Sequence, residues 1–409
     1  MTEFYDELEQ RSPQARAQAI AERLPDQIRH AQTHAPYFAQ KLASVEASAI
    51  DSVAALATLP LLRKSELIAQ QHNNAPFGGL VAATDLARVF QSPGPIHEPQ
   101  GQQADFWRFA RALHAAGFRP GGLIHNAFAY HFTPAGFMFD AAGAALGCPV
   151  FPAGGGQTEL QARAIASFAP RYYTGTPSFL KIILNKADEL GLDSSSLSHG
   201  LVTAEPLTQS LQAYFEARQL DVYQCYGTAD LGLIAYETTA RDGLVVDENV
   251  IVEIVRPGSG EPVPDGEVGE VVVTIFNRDY PLIRFATGDL SAVLPGDCPT
   301  GRTNMRIRGW MGRADQTTKV RGMFVHPEQV NTVCSRHPAL GRARLVVSAE
   351  NDRDNMILQC ELETPDASLK NAVEASLRDV CGLRGDVTFV ATGSLPNDGK
   401  VIDDQRDHD

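Results

Sequence analysis

From about residue 105 to residue 240 the chain alternates between two hydrophobic patterns. Stretches with apolar residues every three or four positions predict helices, and short apolar runs bounded by Gly or Pro predict strands. The predicted helices are ADFWRFARALHAAG, TPAGFMFDAAGAALG, TELQARAIASFA, PSFLKIILNKADELG and LTQSLQAYFEARQ. The predicted strands are GLIHNAF, CPVFPAGGG, RYYTGT, GLVTAEP and LDVYQCYGT. Strands that alternate with helices of this length predict a parallel sheet.

The pattern differs on either side of this region. The first 70 residues predict helices interrupted at HAPYF and TLPLL. After about residue 240 the runs NVIVEIV, GEVVVTIF and LSAVL, separated by the turn cluster RPGSGEPVPDGEVG, predict antiparallel hairpins. From about residue 316 two helical patterns (PEQVNTVCSRH, LKNAVEASLRDVCG) and three strand patterns (RARLVVSAE, NMILQCELE, DVTFVA) predict a small α+β unit.

These patterns predict an α/β protein of two domains, as its 409 residues allow. We expect a large N-terminal domain over residues 1–314, with parallel α/β sheets and a β-rich subdomain at about 243–312. A small α+β C-terminal domain would follow over residues 315–409, with the boundary near GRADQTTKVRG.

Composition narrows the function classes. The net charge of −14, without a basic run that contains aromatic residues, argues against a nucleic-acid partner. Apolar runs stay well below the roughly 18 residues that a membrane span needs. The charged, amphipathic start MTEFYDELEQRSPQARAQAIAERL has no apolar signal core, which predicts a cytoplasmic protein. The six cysteines are scattered without a C-x-x-C pair, so we expect reduced thiols and no zinc site.

Three polar stretches follow predicted strands, where parallel sheets bind ligands. In YGTADLG, Gly227 lets a ligand approach the backbone, and Asp230 can bind Mg²⁺ beside phosphates or simply cap a tight turn. In TAEP, Glu205 can cap the next helix, with Pro206 at its first position. In FATGDL, Asp289 can accept the hydroxyl groups of a ribose or belong to a common β-turn.

A fourth stretch, ARVFQSPGPIHEPQG at residues 87–101, begins as a strand and enters a turn at Ser92-Pro93-Gly94-Pro95. Short Gly-containing turns after strands often hold phosphate through backbone N–H groups. The two prolines have no N–H to donate. From these residues alone, a nucleotide loop and a plain turn both stay open, and Lys400 in LPNDGKVIDD is an ordinary surface lysine.

Taken in order along the chain, many short motifs resemble the phenylacetate–CoA ligase branch of the adenylate-forming enzymes, nearly from end to end. The motifs are HAPYFAQKL, LPLLRKSEL, PFGGL, GTPSFL, AEP, YGTAD, PVPDGEVGEVVVT, YPLIRFATGDL, GRADQTTKVRGMFVHPEQV and GSLP-x-x-GK. The resemblance implies a small C-terminal domain that is mobile and an active site between the domains. It also implies that a carboxylate attacks the α-phosphate of ATP, and that coenzyme A then displaces AMP from the acyl-adenylate, with Mg²⁺ bound to the nucleotide.

The resemblance also implies roles for individual residues. Asp230 would replace the usual Glu as the Mg²⁺ ligand, Asp315 would be the hinge, and Lys400 would bridge the acyl carboxylate and the α-phosphate. The acyl pocket would be lined by Phe128, Tyr130 and Phe132, which equally suit a hydrophobic core. The nucleotide site would comprise Ser92, Gly94, Ala204, Glu205, Pro206, Tyr226, Gly227, Thr228, Asp289 and Arg313.

The chain departs from the family pattern in three places. The family loop S-S-G-T-T-G-K-P reads QSPGPIHEP here, which keeps Ser92 and Gly94 but loses the lysine and adds Glu98 where phosphates would bind. Ala229 replaces the hydroxyl residue before the metal ligand. A Cys-rich stretch of some relatives is reduced to DCPTG, so we expect no structural zinc.

We therefore expect an ATP-dependent ligase that joins an aryl or arylacetic acid, a small-molecule carboxylic acid, to coenzyme A. Because of the altered loop, two alternatives remain: an adenylate-binding relative that transfers the acyl group to an amine or a carrier, and a non-catalytic AMP binder. Relatives often dimerise, so a homodimer is a further expectation.

Overall fold

The structure, a computed structural model, describes residues 3–93, 95–314, 316, 318–321, 323–350, 353–364 and 367–406. The chain forms two compact units. Unit 1 comprises Met1–Val252, Val273–Phe285 and Leu294–Trp310, and unit 2 comprises Glu253–Val272, Ala286–Val293 and Met311–Asp409.

The N-terminal residues form short helices, as their pattern predicts. These elements are α1 (Pro13–His34), α2 (Pro36–Lys41), α3 (Val53–Leu56), β1 (Leu62–Arg63) and α4 (Lys64–Asn73). The Ser12 hydroxyl caps α1 by accepting a hydrogen bond from Ala15 N at 3.1 Å, and Pro13 occupies the first helical position. The break at HAPYF arises at Ala35, which precedes a proline and is extended, so α2 starts a new helix direction.

The middle of the chain alternates between strands and helices. In order these are β2 (Arg88–Ser92), β3 (Ile96–Gln100), α5 (Phe109–Ala115), β4 (Ile124–Asn126), α6 (Ala135–Leu146), β5 (Val150–Pro152), α7 (Thr158–Phe168), β6 (Tyr172–Gly175), α8 (Pro177–Leu190), β7 (His199–Val202), α9 (Gln209–Glu216), β8 (Asp221–Thr228) and β9 (Gly232–Glu237).

A nine-stranded sheet of order β5-β4-β6-β7-β8-β9 and onward is the centre of unit 1. Its first five strands are parallel, which confirms the prediction drawn from the helix–strand alternation. β9 then pairs antiparallel with β8. Three later strands complete the sheet: β10 (Leu244–Val246), β14 (Val293–Leu294) and β15 (Arg306–Ile307).

Both faces of this sheet are buried. Tyr172 and Tyr173 are neighbours on β6 and point to opposite faces, as successive strand residues must. Tyr172 packs with Phe118 and Phe139 in one apolar cluster, and Tyr173 packs with Ile183 in the other. Burial on both faces explains why these strands read as continuous apolar runs.

The remaining elements follow the β-rich and α+β patterns. They are β11 (Val250–Val255), β12 (Gly269–Ile275), β13 (Phe285–Ser291), β16 (Thr318–Val320), β17 (Met323–Val325), α10 (Pro327–Ser335), β18 (Ala343–Glu350), β19 (Arg353–Glu361), α11 (Ala367–Cys381), β20 (Asp386–Val390) and β21 (Ile402–Asp404). A second sheet has the order β1-β13-β12-β11.

The C-terminal part of unit 2 is an open sheet with two helices. Its strand order is β20-β19-β18-β21; β18 and β19 are antiparallel, while β20 and β21 are parallel to their neighbours. Apolar residues of α10 and α11, such as Val330, Val333 and Leu377, pack with Leu345 and Leu358 of the sheet.

Two predicted helices begin later than the sequence pattern suggests. The pattern at residues 104–117 becomes helical only at Phe109, because Trp107 O accepts a hydrogen bond from Leu233 N at 2.9 Å and Arg108 has a left-handed φ of 69°. The helix expected from Pro206 begins at Gln209, where Thr208 is the N-cap. In both cases tertiary or capping contacts decide the start.

Among the described residues, no helix combines the length and apolar character needed to cross a membrane.

Candidate functional site

The turn after β8 places several predicted site residues together in unit 1. Tyr226 is buried in the strand, and a Cβ atom added to Gly227 would lie 2.6 Å from Gly232 O, so only glycine fits there. The Thr228 hydroxyl accepts a hydrogen bond from Leu231 N at 3.1 Å, which closes the turn around Asp230. The sequence therefore builds a tight turn that fixes the Asp230 carboxylate.

The stretch after β7 also lies in unit 1, but it differs from the expectation. Glu205 does not cap the following helix; its Oε1 accepts a hydrogen bond from Ser178 N, at the start of α8, at 2.6 Å. A carboxylate beside a helix N-terminus is electrostatically favourable. Ala204 has a left-handed φ of 74°, and Pro206 is exposed in the loop. The cap prediction for Glu205 and Pro206 was wrong because the helix starts three residues later.

Residues 88–100 form a β-hairpin. Ser92 pairs with Ile96 across its tip, and Gly94 lies outside the described residues. Ser92 N donates a hydrogen bond to Glu98 Oε2 at 3.2 Å, so this backbone donor is already used. The structure thus shows a hairpin with an inward carboxylate at the place where the resemblance implies a phosphate loop.

Glu98 and Asp230 are both buried, so a negative charge on either carboxylate needs a partner that neutralises it. Burial first, and then the charge of Asp230, raise the pKa of Glu98 to about 7. Burial also raises the pKa of Asp230, although the Lys64 ammonium, 3.6 Å away, opposes this shift. Sequence reasoning did not find Lys64, the first residue of α4.

Asp289 and Arg313 meet in unit 2. Arg313 Nη1 donates a hydrogen bond to Asp289 Oδ1 at 2.9 Å, and the two residues form an isolated β-bridge. Gly288 has a φ of 74°, and a Cβ atom there would lie 2.8 Å from Arg313 Nη2. The T-G-D segment lies within strand β13 rather than in the expected β-turn, and it keeps the guanidinium close to the carboxylate.

Lys400 also lies in unit 2, just before β21. Its ammonium is half-exposed and pairs with Asp403 Oδ1 at 3.0 Å. The Gln316 amide holds the backbone on both sides of it: Nε2 donates to Gly399 O at 3.0 Å, and Oε1 accepts from Ile402 N at 2.7 Å. Gln316 is a positioning residue that the sequence did not reveal. Asp315, the predicted hinge, lies outside the described residues.

The three aromatic residues of the predicted acyl pocket have different surroundings in unit 1. Phe128 is buried and stacks on Phe139 with ring centroids 4.8 Å apart. Tyr130 is half-buried, and Phe132 is 78% exposed with a φ of 60°. Phe128 thus has a core contact, while Tyr130 and Phe132 lie nearer to solvent.

A buried asparagine organises this segment. Asn126 Nδ2 donates to Tyr130 Oη and to Gly136 O, both at 2.8 Å, and Oδ1 accepts from Thr174 Oγ1 at 3.1 Å. Tyr130 Oη in turn donates to Asp140 at 3.3 Å. The full set of hydrogen bonds at Asn126 fixes the loop after β4.

The oxygen-rich surroundings of Asp230 suit Mg²⁺, which prefers carboxylate and water ligands. Both Asp230 oxygens are buried without a hydrogen-bond partner in the described part of the chain, as a missing ligand would leave them. The described residues, those around Asp230 included, contain no group of three or more His, Cys, Asp or Glu arranged for a metal ion. The absence of structural zinc stays a prediction.

Comparison with known proteins shows the family. A family model described as "AMP-binding enzyme" matches residues 125–275. The chain is 32% identical over 367 residues to a phenylacetate-coenzyme A ligase from Aromatoleum evansii, a match that spans 85% of this chain and 82% of the relative. It is 30% identical over 409 residues to the enzyme of that name from Escherichia coli K12, which spans 93% and 92% of the two chains.

Solved structures show the same fold. A crystal structure of 2-hydroxyisobutyryl-CoA ligase with an acyl-AMP in the postadenylation state has a TM-score of 0.74 at 23% identity, and covers 99% of this chain and 93% of that one. An open form of that ligase, with 2-HIB-AMP and CoA, has a TM-score of 0.74 at 24% identity and covers 97% and 92%. The identity to the curated ligases, over more than four-fifths of each chain, establishes the relationship: this protein belongs to the phenylacetate–CoA ligase branch of the adenylate-forming enzymes and is an acid–thiol ligase.

Proposed function

We propose that this protein activates an aryl or arylacetic acid with ATP and Mg²⁺ and transfers the acyl group to coenzyme A. The observation that carries the proposal is its 30–32% identity, over most of both chains, to enzymes named phenylacetate-coenzyme A ligase. In the first step the acid's carboxylate attacks the α-phosphate, which gives acyl-adenylate and pyrophosphate. In the second step the thiol of coenzyme A attacks the acyl carbon, which gives the thioester and AMP.

We assign nucleotide-binding roles to residues of each unit separately. We assign the adenine to the stretch from Ala204 to Pro206 and to Tyr226, Gly227 and Thr228. The close approach that Gly227 permits supports this role, since a base can then lie against the backbone. The ribose hydroxyls are assigned to Asp289, whose carboxylate is fixed by Arg313 at 2.9 Å.

At the phosphate end we assign Ser92 and Gly94 to the nucleotide and Asp230 to Mg²⁺. The buried Asp230 oxygens support the metal role, because a divalent cation would offset their charge. When bound, Mg²⁺ supplies a positive charge that neutralises phosphate oxygens.

Lys400 would supply the mobile charge of the adenylation step. Its pair with Asp403 at 3.0 Å is half-exposed, and such pairs contribute only about 0–1 kcal/mol. The lysine can therefore leave Asp403 at little cost and bind the acyl carboxylate and the α-phosphate as charge develops there. Gln316 would position the backbone that carries it.

The acyl pocket is assigned to Phe128, Tyr130 and Phe132. The Tyr130 hydroxyl is held by Asn126 and Asp140, so its ring is fixed and can stack on an aromatic substrate. This assignment would give the pocket a preference for aryl acids, in line with the proposed substrate class.

Four further features stay predictions. They are the domain bounds 1–314 and 315–409 with rotation about Asp315, the β-rich subdomain at 243–312, a homodimer and a cytoplasmic location.

The proposal is tested by ATP–pyrophosphate exchange with a panel of aryl, arylacetic and short aliphatic acids. We expect exchange that depends on an aryl or arylacetic acid and that Lys400→Ala abolishes. Exchange supported only by aliphatic acids would contradict the proposed substrate class. AMP binding in calorimetry without exchange for any acid would instead favour the non-catalytic alternative.

A further inference from the structure

In the described part of the chain, five side chains of unit 1 present buried oxygen atoms without hydrogen-bond partners; besides Asp105 and Ser196, three of them interact electrostatically. The atoms of these three are Glu98 Oε1, Tyr280 Oη and both carboxylate oxygens of Asp230. Glu98 and Tyr280 are each 1% exposed, and Asp230 is 4% exposed. Because unpartnered buried polar atoms are costly and rare, so many in one set indicate a missing ligand.

The three groups interact electrostatically. Beyond burial, the charge of Asp230 raises the pKa of Glu98, and the charges of Asp230 and Glu98 both raise the pKa of Tyr280. They reach this point from β3, from the turn before β9 and from the loop between β12 and β13. Two buried carboxyl groups and a buried hydroxyl from separate segments are therefore close enough to interact electrostatically.

Lys64 does not balance this charge. Its ammonium is 3.6 Å from Asp230 Oδ2 and is 41% exposed, whereas the Asp230 side chain is 1% exposed. One partly solvated ammonium faces two buried carboxylates, which leaves an excess of negative charge. Buried carboxylates in such surroundings are usually paired or bound to a metal ion.

We propose that Glu98 and Asp230 together bind a divalent cation, Mg²⁺ or Mn²⁺, before any nucleotide arrives. Mg²⁺ binds through one or two carboxylates and keeps several water ligands, and the Tyr280 hydroxyl provides a further oxygen toward the ion. Glu98 is therefore a second metal ligand, in addition to Asp230. The inference rests on the proposed function only for the use of the ion, since binding itself needs neither acid nor ATP.

The rival explanation is that Lys64 and a proton shared by the carboxylates replace the ion. The two explanations differ in what Lys64 does. If an ion binds between the carboxylates, the Lys64 ammonium repels it, and removal of that charge strengthens ion binding. If the pocket holds only a proton, no ion binds in either form.

The test is a titration of Mn²⁺ into nucleotide-free protein, followed by electron paramagnetic resonance of the unbound ion. We expect about one bound Mn²⁺ per chain, affinity at least about tenfold weaker in Glu98→Gln and in Asp230→Asn, and tighter binding in Lys64→Gln. Glu237→Gln is the matched control, because Glu237 is also buried in unit 1 but pairs with Gln224 and Arg241. It should bind Mn²⁺ as the wild type does.

Two results would overturn the inference: wild-type protein that binds no Mn²⁺ without nucleotide, or Glu98→Gln that binds as tightly as the wild type. Tighter binding by Lys64→Gln cannot result from misfolding, so the test does not depend on how well the carboxylate variants fold. Since no acid, ATP or coenzyme A is present, ion binding can succeed while pyrophosphate exchange fails, and the two proposals are tested separately.

Discussion

A buried network of ion pairs in unit 1 differs from two exposed ion pairs at the proposed site residues of unit 2. In unit 1, Arg111 has a side chain that is 5% exposed and contacts Asp6, Glu9 and Asp247 at 2.8–3.3 Å. In unit 2, the ammonium of Lys400 and the guanidinium of Arg313 are about half-exposed, and each pairs with an aspartate. Buried pairs are costly to break, whereas exposed pairs contribute little and exchange easily.

This difference matches the proposed work of each unit. Groups that must stay in place, such as the network that ties the N-terminal residues to the sheet, are sealed from water. Groups that must exchange a protein partner for a substrate during turnover lie in exposed pairs. We therefore expect that removal of the buried charge in unit 1 lowers the free energy of unfolding, and that removal of the exposed charges in unit 2 lowers catalytic activity.

The largest expected effect is on stability in unit 1. Arg111→Ala removes one of two guanidinium partners from each of the buried carboxylates Glu9 and Asp247, which keep Arg302 and Arg108, so the free energy of unfolding should fall by about 3 kcal/mol. Chemical denaturation measures this loss. The control Arg336→Ala breaks an exposed pair with Asp379 and should cost less than about 1 kcal/mol. Equal losses of unfolding free energy in the two variants would contradict the expected difference between buried and exposed ion pairs.

The next effect is on activity in unit 2. Lys400→Ala should slow ATP–pyrophosphate exchange by about 10²–10³-fold, because a charge that stabilises the transition state is lost. The unfolding free energy should change by no more than about 0.5 kcal/mol, since the pair with Asp403 is half-exposed. Lys370→Ala, which removes an exposed lysine of α11, is the control and should leave exchange unchanged. A large loss of stability in Lys400→Ala would show that the lysine is structural.

A smaller effect concerns pH in unit 1. Burial raises the pKa of Asp105 from 3.8 to about 7, so the folded state binds a proton that the unfolded state has released. Stability from this group is therefore full below about pH 4 and is lost as the pH rises to about 7. Against the wild type, Asp105→Asn should flatten the stability profile over this range, because the asparagine binds no proton in either state. If the stabilities of the wild type and Asp105→Asn changed with pH in parallel, the raised pKa of Asp105 would be contradicted.

The smallest expected effect concerns the ribose contact. Asp289→Asn keeps the size of the side chain but weakens the charged acceptor beside Arg313, so AMP affinity in calorimetry should fall about tenfold. Asp379→Asn, a change at an exposed carboxylate, should leave AMP affinity unchanged. Unchanged AMP affinity in Asp289→Asn would show that this residue does not contribute to nucleotide binding.

Local patterns predicted much of the fold. The parallel strands β4 to β8 and the helices between them carry periodic apolar residues and clear turns, and the structure has them where the pattern places them, except that α9 begins late. Strands β9 and β21 were not predicted. The sequence of β21 is mostly polar, and its pairing with β18 depends on residues far away in the chain. Helix α5 starts late because Trp107 is held by Leu233, another long-range contact.

The site was predictable only where single residues carry a motif. Motifs indicated Asp230, Asp289 and Lys400, but not Lys64, Gln316 or Tyr280, whose roles come from contacts across the fold. The hairpin at residues 88–100 shows the limit most clearly. Its sequence revealed the lost phosphate-loop residues, but only the structure showed that Glu98 is buried and interacts electrostatically with Asp230.

The most direct test of the central claim is product analysis by mass spectrometry after incubation with ATP, Mg²⁺, coenzyme A and phenylacetic acid. We expect phenylacetyl-CoA and AMP in equal amounts, and neither product when the acid is left out. Acid-dependent AMP without a thioester would contradict a coenzyme A ligase, and no acid-dependent AMP with any carboxylic acid would contradict adenylation altogether.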